Sequence, residues 1–221
     1  MAIIGVETFY GERTGTIKIL ESLSTLAFGY PRRAKYFRRE LEQFLLMSKN
    51  QGFNPASLRG SYAGAMGLPQ FMPSSYRRYA RDFNGDGRRD LFGSRKDAIG
   101  SVANYFKAHG WKTGQPVATP AKLTGNRYRK LPRPKSRLKP SYSMGQLAAY
   151  GVRALRPSSR YSSLGKISFI KLTQARGATY WLGFKNFYVI TRYNHSELYA
   201  MAVFELANKV EKARSRHSRK R

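Results

Sequence analysis

The sequence predicts an α+β chain that is mainly helical, and three observations carry the prediction. Apolar residues recur at helical spacing in several separate stretches, among them 17–27, 37–45, 99–106 and 199–210. Two runs rich in β-branched and aromatic residues, Lys166 to Leu172 and Tyr180 to Thr191, suit strands instead. The 221 residues, 41% of them hydrophobic, are enough for one substantial core, or for a core with a smaller inserted lobe, and they argue against disorder.

In chain order, the opening segment to Tyr10 reads as a helix. Glu7 follows the apolar run Ala2-Ile3-Ile4-Gly5-Val6 and precedes Phe9-Tyr10, with Gly11 as a natural stop. A carboxyl at the end of a buried turn resists ionisation, which is what a general acid needs near neutral pH. A solvated glutamate on a short amphipathic helix is the plainer alternative. Thr16 to Phe28 is roughly helical until Gly29-Tyr30-Pro31 breaks it. From Arg32 a clearer helix follows, with Phe37, Leu41, Phe44 and Leu45 as its buried stripe. Arginines at its start oppose the helix dipole, so Arg32 and Arg33 are candidates for ligand contacts as well as for a solvated basic face.

Residues 60–79 are glycine-rich without the Gly-Lys-Ser/Thr ending of a phosphate loop. Ser61 and Gln70 supply neutral hydrogen-bond groups beside Tyr62, Phe71 and Tyr76, a mixture that suits sugar hydroxyls and the apolar faces of sugar rings. A tight helix–helix turn would use the same residues. Asp82-Phe83-Asn84-Gly85-Asp86-Gly87-Arg88 follows. Asp82, Asn84 and Asp86 fall at positions 1, 3 and 5 of a calcium loop, Gly87 at its turn, and Arg88 offers a carbonyl at position 7. Oxygen-only ligands fit calcium rather than zinc. Position 12, usually glutamate, is Gly93, and a metal-free Asx-rich turn is the alternative.

Ile99, Val102, Ala103 and Phe106 form the next helical stripe. Residues 112–140 are rich in Lys, Arg, Pro and Gly and read as an exposed connector; Ser143 to Ala149 reads as a short helix. The last helix carries Tyr199, Ala202, Val203, Leu206 and Val210 and gives way to a basic tail, 212–221.

The charge balance is 41 basic against 12 acidic residues, a net +29, and the stretch between Asp97 and Glu197 holds eighteen Lys and Arg and no acid. Such a field points to a polyanionic partner: nucleic acid, an anionic membrane surface or an acidic cell-wall polymer. Cysteine is absent, so thiolate chemistry and disulfides are excluded, and the three histidines lack close metal spacing. No run approaches the ~18 apolar residues of a membrane span, and the first residues lack a signal peptide's apolar stretch.

Five segments together resemble the membrane-bound lytic murein transglycosylase B family. They are Gly5-Val6-Glu7-Thr8, Tyr30-Pro31-Arg32-Arg33, Ser61 to Tyr76, Ala98 to Phe106 and Arg192-Tyr193-Asn194-His195-Ser196. The resemblance runs from Gly5 to about Arg214. It implies a lysozyme-like catalytic domain with an EF-hand-like loop and a small inserted β subdomain: a core over 1–111, a basic linker and β subdomain over 112–185, and a return to the core over 186–211. It implies a helical region ahead of the chain's first residue, a periplasmic or cell-envelope location, peptidoglycan strands as partner and cell-wall synthesis or remodelling proteins as further ones, with no specific nucleic acid. In the implied reaction Glu7 is both acid and base, Ser61 and Gln70 contact the sugar, and Tyr105 and Tyr193 line the cleft. Asn194 and Tyr199 orient the reacting ring, and Arg32 and Arg33 meet peptide carboxylates. Asp97 closes a structural calcium loop one residue longer than the family's usual pattern. No organic cofactor is expected. The competing expectation is a truncated, non-catalytic binder of cell wall or another polyanion.

Overall fold

The computed structural model describes residues 1–218, so the last three residues of the expected basic tail lie outside the described residues. The chain divides into two compact units, Met1–Tyr105 and Phe106–Arg221. Among the described residues no helix is long and apolar enough to cross a membrane.

The first unit is helical. It contains α1 (Ala2–Thr8), the short strand β1 (Ile17–Lys18), α2 (Ile19–Gly29), α3 (Ala34–Gln51), β2 (Arg59–Gly60) and α4 (Pro73–Tyr79). Most of α5 (Arg95–Ala108) also belongs to it. β1 and β2 form a two-residue antiparallel ladder, Ile17 opposite Gly60 and Lys18 opposite Arg59. The core gathers Ile3 and Ile4 of α1, Ile19, Leu23 and Ala27 of α2, Phe37, Phe44 and Met47 of α3, Tyr76 of α4, and Met66, Phe71 and Leu91 from the segments between helices. Each such side chain contributes about 1.5–3 kcal/mol when fully buried. α3 differs from the sequence reading, because its inward face runs Phe37, Glu40, Phe44, Met47 while Leu45 is 45% exposed. A glutamate on the inward face is tolerated because Ser74 donates to it twice, through its backbone N–H (2.9 Å) and its hydroxyl (2.7 Å). Glu40 thereby caps the start of α4. The inward face of α5 also differs: Ala98, Ser101, Val102 and Tyr105 are buried, whereas Ala103 is exposed.

The second unit holds a four-stranded antiparallel sheet in the order β4-β3-β6-β5. Its elements are β3 (Ala118–Leu123), α6 (Met144–Ala149), β4 (Val152–Ala154), β5 (Ser168–Thr173), β6 (Ala178–Gly183), α7 (Lys185–Tyr193) and α8 (Glu197–Ser218). Three sequence readings change here. The connector 112–140 contains β3, an interior strand of the sheet. Proline argues against an interior strand because it lacks an N–H. In β3, Pro120 stands where the strand changes partner: 118–120 pair with β6 and 121–123 with β4. Second, the run Tyr180 to Thr191 is a strand only to Gly183; Lys185 onward is α7, burying Asn186, Phe187, Val189, Ile190 and Thr191. Val, Ile and Thr carry strand propensity, but tertiary burial overrides it. Third, α8 continues to Ser218 through exposed residues, as the good helix formers Lys, Ala and Arg allow. The short helix at 144–149 is present, with Ser143 and Gln146 forming a capping box.

Candidate functional site

The candidate site begins at the end of α1. Glu7 lies in its last turn and is half-buried, and the helix stops earlier than Gly11 because Phe9 takes a left-handed conformation (φ 50°). Its N–H closes onto Ile4 and Gly5 carbonyls. Tyr10 follows at φ 61°, and Gln70 has φ 50°. These are the non-glycine residues with positive φ among the described residues. Each such conformation costs about 1–3 kcal/mol and persists only where surrounding structure enforces it, a pattern concentrated at functional sites.

What enforces it is a weave between residues 8–16 and 60–71. Thr8, fully buried, donates its hydroxyl to the Ile4 carbonyl (3.1 Å) and the Leu68 carbonyl (2.9 Å). Gln70 Nε2 donates to Thr14 O and Gly67 O, both at 3.0 Å, and among the described residues its amide oxygen accepts no protein bond. Gly15, at φ +95°, lies so close to Gly60 that an added Cβ would stand 2.2 Å from its carbonyl. Ser61 Oγ accepts the N–H groups of Ala63 (3.3 Å) and Ala65 (3.0 Å), so its own proton remains available to an outside acceptor. Tyr62, whose carbonyl accepts the Ser22 hydroxyl, projects its ring outward at 76% exposure.

Arg32 and Arg33 sit, exposed, in a 3-10 turn (Pro31–Arg33) between α2 and α3 rather than inside the helix. The Arg33 guanidinium stacks 4.4 Å from the Tyr36 ring and 5.1 Å from the Phe37 ring. Tyr105 is buried, its ring 4.9 Å from Tyr79 and 5.8 Å from Phe71. In the second unit, Tyr193 ends α7 and stacks on Tyr199 of α8 with ring centroids 6.4 Å apart and planes 9° from parallel. Phe106 meets Tyr193 edge-on at 6.4 Å. Asn194, exposed, leaves the helix in extended conformation, and Ser196 donates its N–H to the Asn194 carbonyl (2.7 Å).

The acidic loop is organised as a cage. Carboxylate oxygens of Asp82, Asp86 and Asp97 lie within 4.8 Å of one another. Asp97 is fully buried and accepts N–H bonds from Phe83 (2.9 Å), Asn84 (3.2 Å) and Asp90 (3.0 Å). Asn84 donates its amide to Asp86 (2.8 Å), and Gly87, at φ +83°, turns the chain so that its N–H reaches Asp82 (2.8 Å). Backbone and amide donors hold Asp86 below the ordinary aspartate range. Although the chain carries 41 Lys and Arg, none among the described residues forms an ion pair with these three carboxylates. Three converging carboxylates, one wholly buried, with oxygen ligands alone and no ion pair to a base among the described residues, fit a hard divalent cation such as calcium.

The twelve acidic residues can be sorted by task. Glu40 caps α4, Asp82, Asp86 and Asp97 form the cage, and Asp90 accepts the N–H groups of Phe92 and Gly93. Glu21 pairs with Lys18 (2.9 Å) and Glu197 with Arg137 (3.8 Å); Glu12, Glu42, Glu205 and Glu211 are exposed. Glu7 remains as the half-buried carboxyl beside the strained corner. Sequence reasoning named Tyr62 among the aromatics of the glycine-rich run but did not single out Thr8 or Glu40, which look like ordinary surface polar residues until their burial is known.

A helical unit with a half-buried glutamate at a strained helix end, tied to a glycine-rich loop with neutral polar groups, and a small antiparallel sheet together define a lysozyme-like protein. The chain belongs to the transglycosylase SLT domain family, which it matches over residues 1–208. It is 50% identical over 214 residues to membrane-bound lytic murein transglycosylase B of Escherichia coli (strain K12), covering 97% of this chain and 56% of that protein. The Escherichia coli lytic transglycosylase Slt35 in complex with bulgecin A matches with a TM-score of 0.88 and 50% identity over 97% of this chain and 65% of that one. Slt35 in complex with calcium gives 0.87. Soluble lytic transglycosylase SltB1 from Pseudomonas aeruginosa gives 0.87 at 49% identity over 97% of this chain and 69% of that one. The chain therefore spans little more than half the length of its curated relative.

Proposed function

We propose that this chain is a peptidoglycan lytic transglycosylase of the cell envelope or periplasm, cleaving the β-1,4 bond between N-acetylmuramic acid and N-acetylglucosamine with Glu7 as its acid and base. The observation that carries the reading is the sorting of carboxyls, which leaves Glu7 without a second acid of comparable placement. A hydrolase of the usual kind needs two carboxyl groups flanking the bond. With one, the nucleophile is best supplied by the substrate. Glu7 gives its proton to the glycosidic oxygen as the C1–O4 bond breaks. The muramic C6 hydroxyl then attacks C1, forming the C1–O6 bond, and its proton returns to Glu7. The product is a 1,6-anhydromuramic end, and Glu7 is restored without consumption of water.

The surrounding groups suit this task. Ser61 has a hydroxyl proton and Gln70 an amide oxygen to offer sugar hydroxyls. The exposed ring of Tyr62 suits an apolar sugar face. Tyr105, and in the second unit Tyr193, Asn194 and Tyr199, are assigned to substrate contact on the family resemblance. Arg32 and Arg33 suit the carboxylates of peptide stems. Asp82, Asn84, Asp86, Asp97 and the Arg88 carbonyl would hold calcium, whose contribution is to neutralise the caged carboxylates and fix the start of α5. The calcium-bound relative supports that assignment. The test is clearance of a peptidoglycan suspension: the chain should clear it, and Glu7→Gln should bind the polymer without clearing it. Equal clearance by Glu7→Gln would refute the role given to Glu7.

A further inference from the structure

We propose that the second unit carries an anion site for phosphate groups, formed by Lys112, Lys139, Lys166 and Lys185 around a cavity of about 410 Å³ that Gln115 and Tyr188 also line. The site is independent of the reaction assigned to Glu7. The wall is built rather than incidental. Asn186, fully buried, accepts the Lys112 N–H (2.8 Å) and donates to the carbonyls of Lys112 (2.8 Å) and Gln115 (2.9 Å), clamping that loop onto α7. Ser141 donates its N–H to Ile167 O (3.0 Å) and Ser168 its hydroxyl to Leu138 O (3.0 Å), fixing the segments of Lys139 and Lys166 side by side. The Lys185 ammonium rests 5.4 Å from the Tyr188 ring centroid. Every wall segment lies within the stretch that contains no Asp or Glu, and no described acid pairs with any of the four lysines.

Four lysines line one cavity, three of them exposed, so an anion of more than one charge would meet several ammonium groups at once. Lysine is a compact point charge with three rotatable donors that binds phosphate oxygens without imposing one geometry, and this wall contains no arginine, whose planar fork serves carboxylates and phosphates alike. Tyr188, Pro140 and Leu164 leave an apolar side for the body of a phosphate-bearing molecule. That phosphate could be carried by a soluble compound or by a lipid headgroup.

Titration calorimetry of the whole chain with sodium pyrophosphate, at about 0.15 M ionic strength to screen the diffuse field, tests the site. The expected result is saturable one-site binding, weakened roughly tenfold or more by Lys139→Ala/Lys166→Ala. Arg153→Ala/Arg176→Ala, which removes the same charge outside the cavity wall, should leave it unchanged. Absence of saturation, equal weakening by both double variants, or equal affinity for citrate would overturn the proposal. Once pyrophosphate binding is established, phosphatidylglycerol vesicles distinguish the sources. Vesicle binding that is lost in the lysine variant assigns a headgroup, and vesicle binding indifferent to it assigns a soluble phosphate.

Discussion

Glu7, Thr8 and Gln70 carry different kinds of consequence. Glu7→Gln keeps shape and removes the proton, so thermal stability should stay near that of the parent while turnover falls by about 10²–10⁴-fold, the usual span for a general acid–base group. Thr8→Val should do the opposite: it removes the donor to Leu68 O within the core and should cost about 1–3 kcal/mol in urea unfolding. A fall in clearance without any loss of stability would contradict that structural role. Glu197 supplies a pH signature. Burial raises its carboxyl pKa, and Arg137 opposes the shift in part. The folded chain therefore holds this proton more tightly than the unfolded one. Its contribution to stability is full below the ordinary glutamate range and declines as pH rises through the raised value. Glu197→Gln should flatten that slope in melting curves. Glu7 stands out in the sequence because an apolar run leads to it and motifs surround it. Thr8 and Glu40 were not, because their importance lies in partners 60 and 34 residues away.

Among the elements, the acidic loop makes the firmest prediction. Chelation should lower the melting temperature of the parent chain and leave Asp97→Ala, already without the buried ligand, little changed. Indifference of the parent to a chelator would argue against a bound divalent ion. Its residue types and spacing made the loop readable from sequence before any geometry was known. β3 and α7 were not readable for opposite reasons. Pro120 hides an interior strand by falling where that strand changes partner, and the Val-Ile-Thr run of α7 follows strand propensity while burial dictates a helix. In α3, Leu45 matched the apolar spacing, yet the face actually buried includes Glu40, because Ser74 satisfies its carboxylate. Periodicity reports which faces are apolar and is silent on polar groups that bring their own partners inside.

At the scale of the whole molecule, a net charge of +29 would suit a general polyanion binder as well as an envelope enzyme. Salt separates these readings. Binding dominated by phosphate contacts falls steeply as salt rises, whereas sugar recognition by Ser61, Gln70 and Tyr62 should leave a salt-resistant fraction of peptidoglycan binding. Transglycosylation and hydrolysis differ in the bond that forms, and the sugar ends record it. Purified peptidoglycan should be digested with the chain and with Glu7→Gln, and the released ends identified by mass spectrometry. The parent chain should yield 1,6-anhydromuramic ends and Glu7→Gln none. Reducing muramic ends from the parent chain would show water as the nucleophile and contradict transglycosylation.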